Sequence, residues 1–101
     1  MSDEMIFISL GGFRNKPTKA TVKVSELMRG MAKEGIKFVG FYWTLGRYDT
    51  VVIMEAPDEK TVMKANMKVS DIVSTETMVA VTREEAHKLV EQSRNSNLAR
   101  F

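Results

Sequence analysis

The 101 residues contain no cysteine, which excludes disulfide frameworks, thiolate metal sites, cysteine nucleophiles and thiol redox chemistry together. Histidine occurs once, at His87 beside Lys88, with no second histidine at ligand spacing, and the Asp and Glu residues form no oxygen-ligand loop. No metal, haem or other cofactor is expected. Charge of one sign is also scarce: 15 basic against 13 acidic side chains leave a net +2, so no acidic polymer is demanded as a partner. No apolar run approaches the roughly 18 residues of a membrane span, and Met1 to Glu4 has no basic segment leading into an apolar one. A cytoplasmic protein without a membrane partner is the expectation. Nucleotide and hydrolase signatures (G-x-G-x-x-G, Walker, G-x-S-x-G) are absent from the sequence.

What is present is enough apolar material, 44% of the chain, for one sizeable core. No linker or repeat divides it, so residues 1–92 read as a single domain, followed by a polar tail, 93–101, whose Ser93-Arg94-Asn95-Ser96-Asn97 is expected to fray. Met5 to Leu10 reads as a buried strand ending in a turn at Gly11-Gly12. Ala20, Val24, Leu27, Met28 and Met31 then recur at helical spacing, with Gly35 as the stop. Lys37–Leu45 and Tyr48–Ala56 are two β-rich runs joined through Gly46-Arg47, the composition of a two-residue type II′ hairpin.

That turn sets a register. Leu45 faces Tyr48, Trp43 faces Thr50, Phe41 faces Val52 and Val39 faces Met54 on one side of the sheet; Thr44 with Asp49, Tyr42 with Val51, Gly40 with Ile53 and Phe38 with Glu55 share the other. Asp58 after Pro57 is an N-cap for a helix whose inner stripe is Val62, Ala65, Asn66 and Val69. Ile72–Val81 is a fourth strand. Thr82-Arg83-Glu84-Glu85 is a capping box for a last helix with Ala86, Leu89 and Val90 inward.

The order β-α-β-β-α-β plus a terminal helix predicts a ferredoxin-like α+β fold with an antiparallel sheet. Two helices cover one sheet face. The other carries Phe38, Tyr42, Val51 and Ile53, an apolar patch that monomers of this size rarely expose, and self-association through the sheet faces, as a homodimer or a higher assembly built from it, is the expected remedy.

Several chemistries can be weighed on residues. Tyr42, Thr44, Tyr48 and Asp49 gather polar groups at one hairpin end; Asp49 is the one catalytic candidate, as a base or substrate anchor, with Thr44 as its hydrogen-bond donor. Against that stands simple turn chemistry, since Asp and Gly commonly lock tight turns. Trp43 and Phe41 either wall an aromatic pocket or fill the core, and core packing is the preferred reading. The same holds for the eight methionines, which suit an irregular core or an adaptable cavity. Gly11-Gly12 near Arg14 and Lys16 has the composition of an anion cradle, but a strand-to-helix turn explains it. Nucleic acid is not expected: the aromatics lack the pattern of a base-stacking sheet and the charge is near neutral.

From Phe41 to Asp58 the chain resembles the GYD domain family, named for a Gly-x-Tyr-Asp hairpin matched here by Gly46, Tyr48 and Asp49. Val73-Ser74-Thr75-Glu76-Thr77-Met78 is similar to the family's Val-Arg-Thr strand, with Ser74 where arginine is common, and Thr82 onward to its terminal helix. The resemblance implies a dimeric α+β barrel, an architecture shared with small monooxygenases, cyclases, isomerases and ligand-sensing domains; it implies no particular activity. The resulting expectation is a small-molecule-binding sensor or accessory protein acting as a homo-oligomer, its pocket between sheet and helices bordered by Tyr42, Thr44, Tyr48 and Asp49. The alternative is a cofactor-independent monooxygenase or isomerase with Asp49 as base.

Overall fold

A computed structural model of the chain describes residues 4–95; within that span the side chains of Val24, Leu27, Arg29, Ala32 and residues 93–95 lie outside the description. The elements are β1 (Met5–Phe13), α1 (Lys19–Arg29), a 3₁₀ turn (Gly30–Glu34), β2 (Lys37–Trp43), β3 (Thr50–Ala56), α2 (Glu59–Lys68), β4 (Val73–Ala80) and α3 (Arg83–Asn95). The strands form one antiparallel sheet in the order β2-β3-β1-β4, the ferredoxin-like arrangement that the element order predicts.

Alternation in the two central strands sets the layers. Phe7, Ser9 and Gly11 of β1 and Thr50, Val52, Met54 and Ala56 of β3 are buried, while the residues between them point to the opposite face and are only partly covered. The core lies under the helices: Phe7, Ile36, Val52, Met54, Ala56 and Val62 are each at most 5% exposed. Val62, Ala65 and Val69 face inward from α2 as their spacing predicts, and Gly35 (φ +97°) ends the helical segment after α1 in a backbone conformation that favours glycine. On α1 itself, Met28 packs against the core and Ala20, expected inward, is exposed. Val24 and Leu27 lie outside the described side chains.

Asp58 caps α2 by accepting hydrogen bonds from the Thr61 hydroxyl at 2.7 Å and the Thr61 N–H at 2.8 Å. These bonds, led by the hydroxyl, hold its carboxyl below the usual Asp range. A depressed folded-state pKa means stability that is present above the unfolded value of about 3.9 and lost as pH falls through the lower folded value. Asp58→Ala is therefore expected to melt below the native chain at neutral pH, with the gap narrowing in strong acid. A gap unchanged between neutral and strongly acidic thermal melts would show that the cap is not held by its charge. Glu34 is lowered in the same direction by its hydrogen bond from Lys68, an exposed ion pair of 2.7 Å that ties the 3₁₀ turn to α2.

Four expectations are corrected. The first strand does not turn at Gly11-Gly12 but continues through them to Phe13, with Gly11 between Thr50 and Thr75 and Gly12 opposite Ser74. The reason is space: a Cβ on Gly11 would collide with Thr50 Oγ1 and sit 2.9 Å from Val73 Cγ2, so this glycine serves close packing between strands.

In the hairpin, the expected pairs hold from Trp43 with Thr50 to Gly40 with Ile53, but an irregularity between Phe38 and Gly40 then pairs Phe38 with Met54 and Lys37 with Glu55. Val39 is the extra residue of a β-bulge. Phe38 is thereby moved from the open face to the core side, where its ring lies 6.0 Å from Phe41.

The third correction concerns α3. Thr82 Oγ1 accepts from the Glu85 N–H at 3.1 Å, as a cap should, yet Leu89 and Val90 are 53% and 46% exposed. Among the described residues α3 makes few close contacts with the other elements, and of its apolar stripe Ala86 alone is partly buried. The helix runs to Asn95, so Ser93, Arg94 and Asn95 continue it, while Ser96 and Asn97 lie outside the described residues. Fourth, the methionines do not all fill the core. Met31 is buried, but Met63, Met67 and Met78 are exposed.

The face of the sheet away from α1 and α2 carries Ile6, Ile8, Leu10, Val51 and Ile53, all partly exposed, and Tyr42, whose ring lies across the Cβ position that Gly40 leaves empty. This is the apolar open face that the sequence predicts, without Phe38.

Candidate functional site

The hairpin end is organised around the backbone. Gly46 (φ +105°) allows the turn, the Thr44 N–H donates to the Asp49 carbonyl at 2.7 Å, and the Thr44 hydroxyl donates to the Tyr48 carbonyl at 2.6 Å. The expected Thr44–Asp49 side-chain bond is thus replaced by a bond that closes the loop on itself. Asp49 turns across the sheet instead. Its N–H donates to the Gly11 carbonyl at 2.7 Å, and its Oδ2 accepts the Phe13 N–H at 2.8 Å. The carboxylate therefore extends the pairing of β3 with the end of β1.

Tyr48, expected opposite Leu45, reaches β4 instead: its hydroxyl donates to the Glu76 carboxylate, 3.3 Å from either oxygen, and the Arg47 guanidinium sits 5.6 Å from its ring centre. Tyr42 lies on the open face. The four candidate residues do not converge on one space.

The cavity that does exist between sheet and helices, about 50 Å³, has other walls. Ser9, Phe41, Thr50, Val52 and Met54 form its sheet side, and Thr21, Ser25 and Met28 of α1 and Asn66 of α2 its helix side. Phe13 and Trp43 stand at one end, edge to face with ring centres 4.9 Å apart. Among the described residues that line it, none carries a charge. Polar handles are nevertheless present. Asn66 Nδ2 donates to Thr77 Oγ1 at 2.9 Å, and that hydroxyl shares a 3.0 Å hydrogen bond with Ser9 Oγ, so the 4% exposed Ser9 is satisfied beside the cavity. Phe13 and Trp43 also line a second, open cleft with Arg14, Asn15, Lys16, Pro17, Thr44 and Asp49. The two rings are shared by an apolar hollow and a polar cleft.

The model of the GYD domain matches residues 8–90, which takes in β1 from Ile8 to most of α3. The chain belongs to the GYD domain family. No curated protein and no solved structure gives a match. The positions that carry the GYD signature, Gly46, Tyr48 and Asp49, make the turn and fasten the hairpin to β1 and β4. None of them lines the cavity between sheet and helices.

Of the residues weighed from sequence, Phe41 and Trp43 line the cavity, where core packing was the preferred reading. Phe13, Ser9 and Asn66 were missed as site residues. The available signal was small polar side chains at inward-facing positions: Ser9 and Thr50 alternate with apolar residues on the core side of β1 and β3, where filling a core needs no hydroxyl. Among the described residues no three His, Asp or Glu side chains gather to hold a metal ion, and no helix is long and apolar enough to cross a membrane.

Proposed function

We propose that this GYD domain is a small-molecule-binding protein, a sensor or accessory subunit, that works as a homo-oligomer and holds its ligand between the sheet and the helices. The observation that supports this is the cavity itself, with aromatic walls, hydroxyl and amide groups at its edge and no charged side chain among the described lining residues. Ligand sites are commonly apolar hollows with a few placed polar groups. The enzyme alternative has less to work with: Asp49, its intended base, lies in the outer cleft with its carboxylate on the Phe13 N–H, and the cavity offers a substrate no proton acceptor beyond hydroxyls and an amide.

Self-association is supported by two uncovered surfaces, the open sheet face and the α3 stripe of Leu89 and Val90. Native mass spectrometry of freshly purified protein tests both halves of the reading. A dimer or its multiple carrying additional mass is the expected spectrum; a bare monomer would count against it. Ile53→Glu, which places a charge in the middle of the open face, is expected to yield monomer or insoluble chain, and an intact dimer would refute that face as the interface.

A further inference from the structure

We propose that α3 is an exchanged arm: in the assembled protein the α3 of each of two copies packs its Leu89 and Val90 on the open sheet face of the other. This rests on the homo-oligomer half of the reading above and adds which surfaces meet.

Ala86, Leu89 and Val90 stand at i, i+3 and i+4, a stripe suited to burial, yet from Arg83 to Gln92 every residue except Ala86 is exposed. A lone helix of thirteen residues is marginal in water, and packing of its apolar stripe is what ordinarily holds it. The rest of the chain does not provide that packing. Sheet and helix layers are each about 10 Å thick, so the shortest dimension of the structure, 18 Å, is filled by the sheet with α1 and α2 and leaves no room for a third layer on the open face. The longest dimension is 54 Å. The nine residues of β1 account for about 30 Å of it, and a thirteen-residue helix running on from the end of β4 adds about 20 Å. Thr82 fixes that course, accepting the Glu85 N–H on its hydroxyl and, at 2.9 Å, the Ala86 N–H on its carbonyl, with only Val81 between it and β4. α3 therefore stands off the body.

The open face is left in the complementary condition. Ile8 of β1 pairs with Ile53 of β3 and Met78 of β4, and Ile53 pairs in turn with Gly40 of β2, so an uncharged row crosses the whole sheet. Met78 is 44% exposed, and Ile8 and Ile53 are partly so. The nearest charges stand on the flanking rows, Lys37 opposite Glu55 on one side and Glu76 opposite Leu10 on the other. One chain thus carries an apolar stripe without a floor and an apolar floor without a cover, and a second copy supplies each to the other. A two-fold axis makes the exchange reciprocal and closed. The charge on the arm favours this occupant over a bilayer or a nucleic acid: Arg83, Lys88 and Arg94 are balanced by Glu84, Glu85 and Glu91, whereas a helix that lies on anionic lipid or on phosphate presents a basic face.

Because the chain has no cysteine, introduced ones report contact without background. Leu89→Cys and Ile8→Cys chains carrying different tags are to be co-expressed and treated with a short bismaleimide, and a covalent dimer joining the two variants is the expected product. Absence of that mixed dimer would overturn the exchange. In that event a dimer in the native mass spectrum would leave the homo-oligomer reading standing, and a monomer would overturn both. A link formed within a single doubly substituted chain, in place of the mixed dimer, would put α3 on its own sheet and overturn the exchange in the same way. Leu89→Glu supplies a second measurement: Leu89 is 53% exposed in the single chain, so the protomer keeps its fold, but each dimer loses two buried leucines and its dissociation constant should rise roughly a hundredfold or more. An unchanged constant would show that the stripe faces solvent in the assembly and overturn the exchange.

Discussion

Phe7→Ala is expected to destabilise the fold by about 3–5 kcal/mol, the usual cost of removing a fully buried aromatic side chain. Phe7 is 2% exposed and sits on β1, which has a strand on either side: it pairs with Met54 of β3 and Val79 of β4. Its ring belongs to the one cluster that joins the sheet to Ile36 and Val62, so the void left by truncation cannot be filled by movement of an edge. Domains of this size have about 5–15 kcal/mol in all. The substitution thus removes a large part of what exists. Urea unfolding at fixed protein concentration should show a lower midpoint with an unchanged slope. A loss below about 1 kcal/mol would mean that the helix layer does not close over β1 as described.

Gly11→Val is expected to be the next most damaging change, by overpacking rather than by loss. The first carbon already has no room, because Thr50 Oγ1 occupies the position and Val73 Cγ2 lies 2.9 Å away. Thr50 is 7% exposed and branched at Cβ, so it has few rotamers to retreat into. The cost should reach about 1–3 kcal/mol or more, with Gly11→Ala intermediate. Thr50 and Val73 also line the cavity, so the same series crowds its wall. A double-mutant cycle separates crowding from a general strand effect: Thr50→Ala should rescue part of the loss in Gly11→Ala. Strict additivity would show that the Thr50 hydroxyl is not what excludes a side chain at Gly11.

Much of this fold is legible in the sequence wherever a local rule has one outcome. Asp58 before a helical stripe is a cap, Gly35 and Gly46 are placed where only a left-handed backbone continues the chain, and the alternation of β-rich and helical segments leaves the ferredoxin-like order. What was not legible depends on contacts between segments far apart in the chain. In β2 nearly every residue from Phe38 to Trp43 is apolar, so alternation carries no phase and the Val39 bulge leaves no mark. Gly11-Gly12 has the composition of a turn, and only the side chains of Thr50 and Val73 make it a strand. The α3 stripe of Ala86, Leu89 and Val90 was rightly amphipathic, but periodicity says which side is apolar and not which molecule covers it.

The site followed the same pattern. Polar residues at a tight turn drew the expectation to Tyr42, Thr44, Tyr48 and Asp49, yet turn backbones consume polar groups: Thr44 and Asp49 are spent on the Tyr48 carbonyl and the Phe13 N–H. The cavity instead draws on residues from β1, β2, β3 and both covering helices, a set that no local pattern brings together.

The bulge at Val39 also governs how this strand can change in length. Upstream of it, Lys37 and Phe38 are set one step out of phase with Gly40 to Trp43. Because Val39 has no partner on β3, losing that one residue would close the bulge and leave Phe38 opposite Met54 and Gly40 opposite Ile53 with every face kept, whereas losing Phe38 as well would set Lys37 opposite Met54 on the core side. The bulge is thus the place in β2 where the chain can lose one residue without turning a side chain over, and where an alignment of relatives to this chain can carry a one-residue gap.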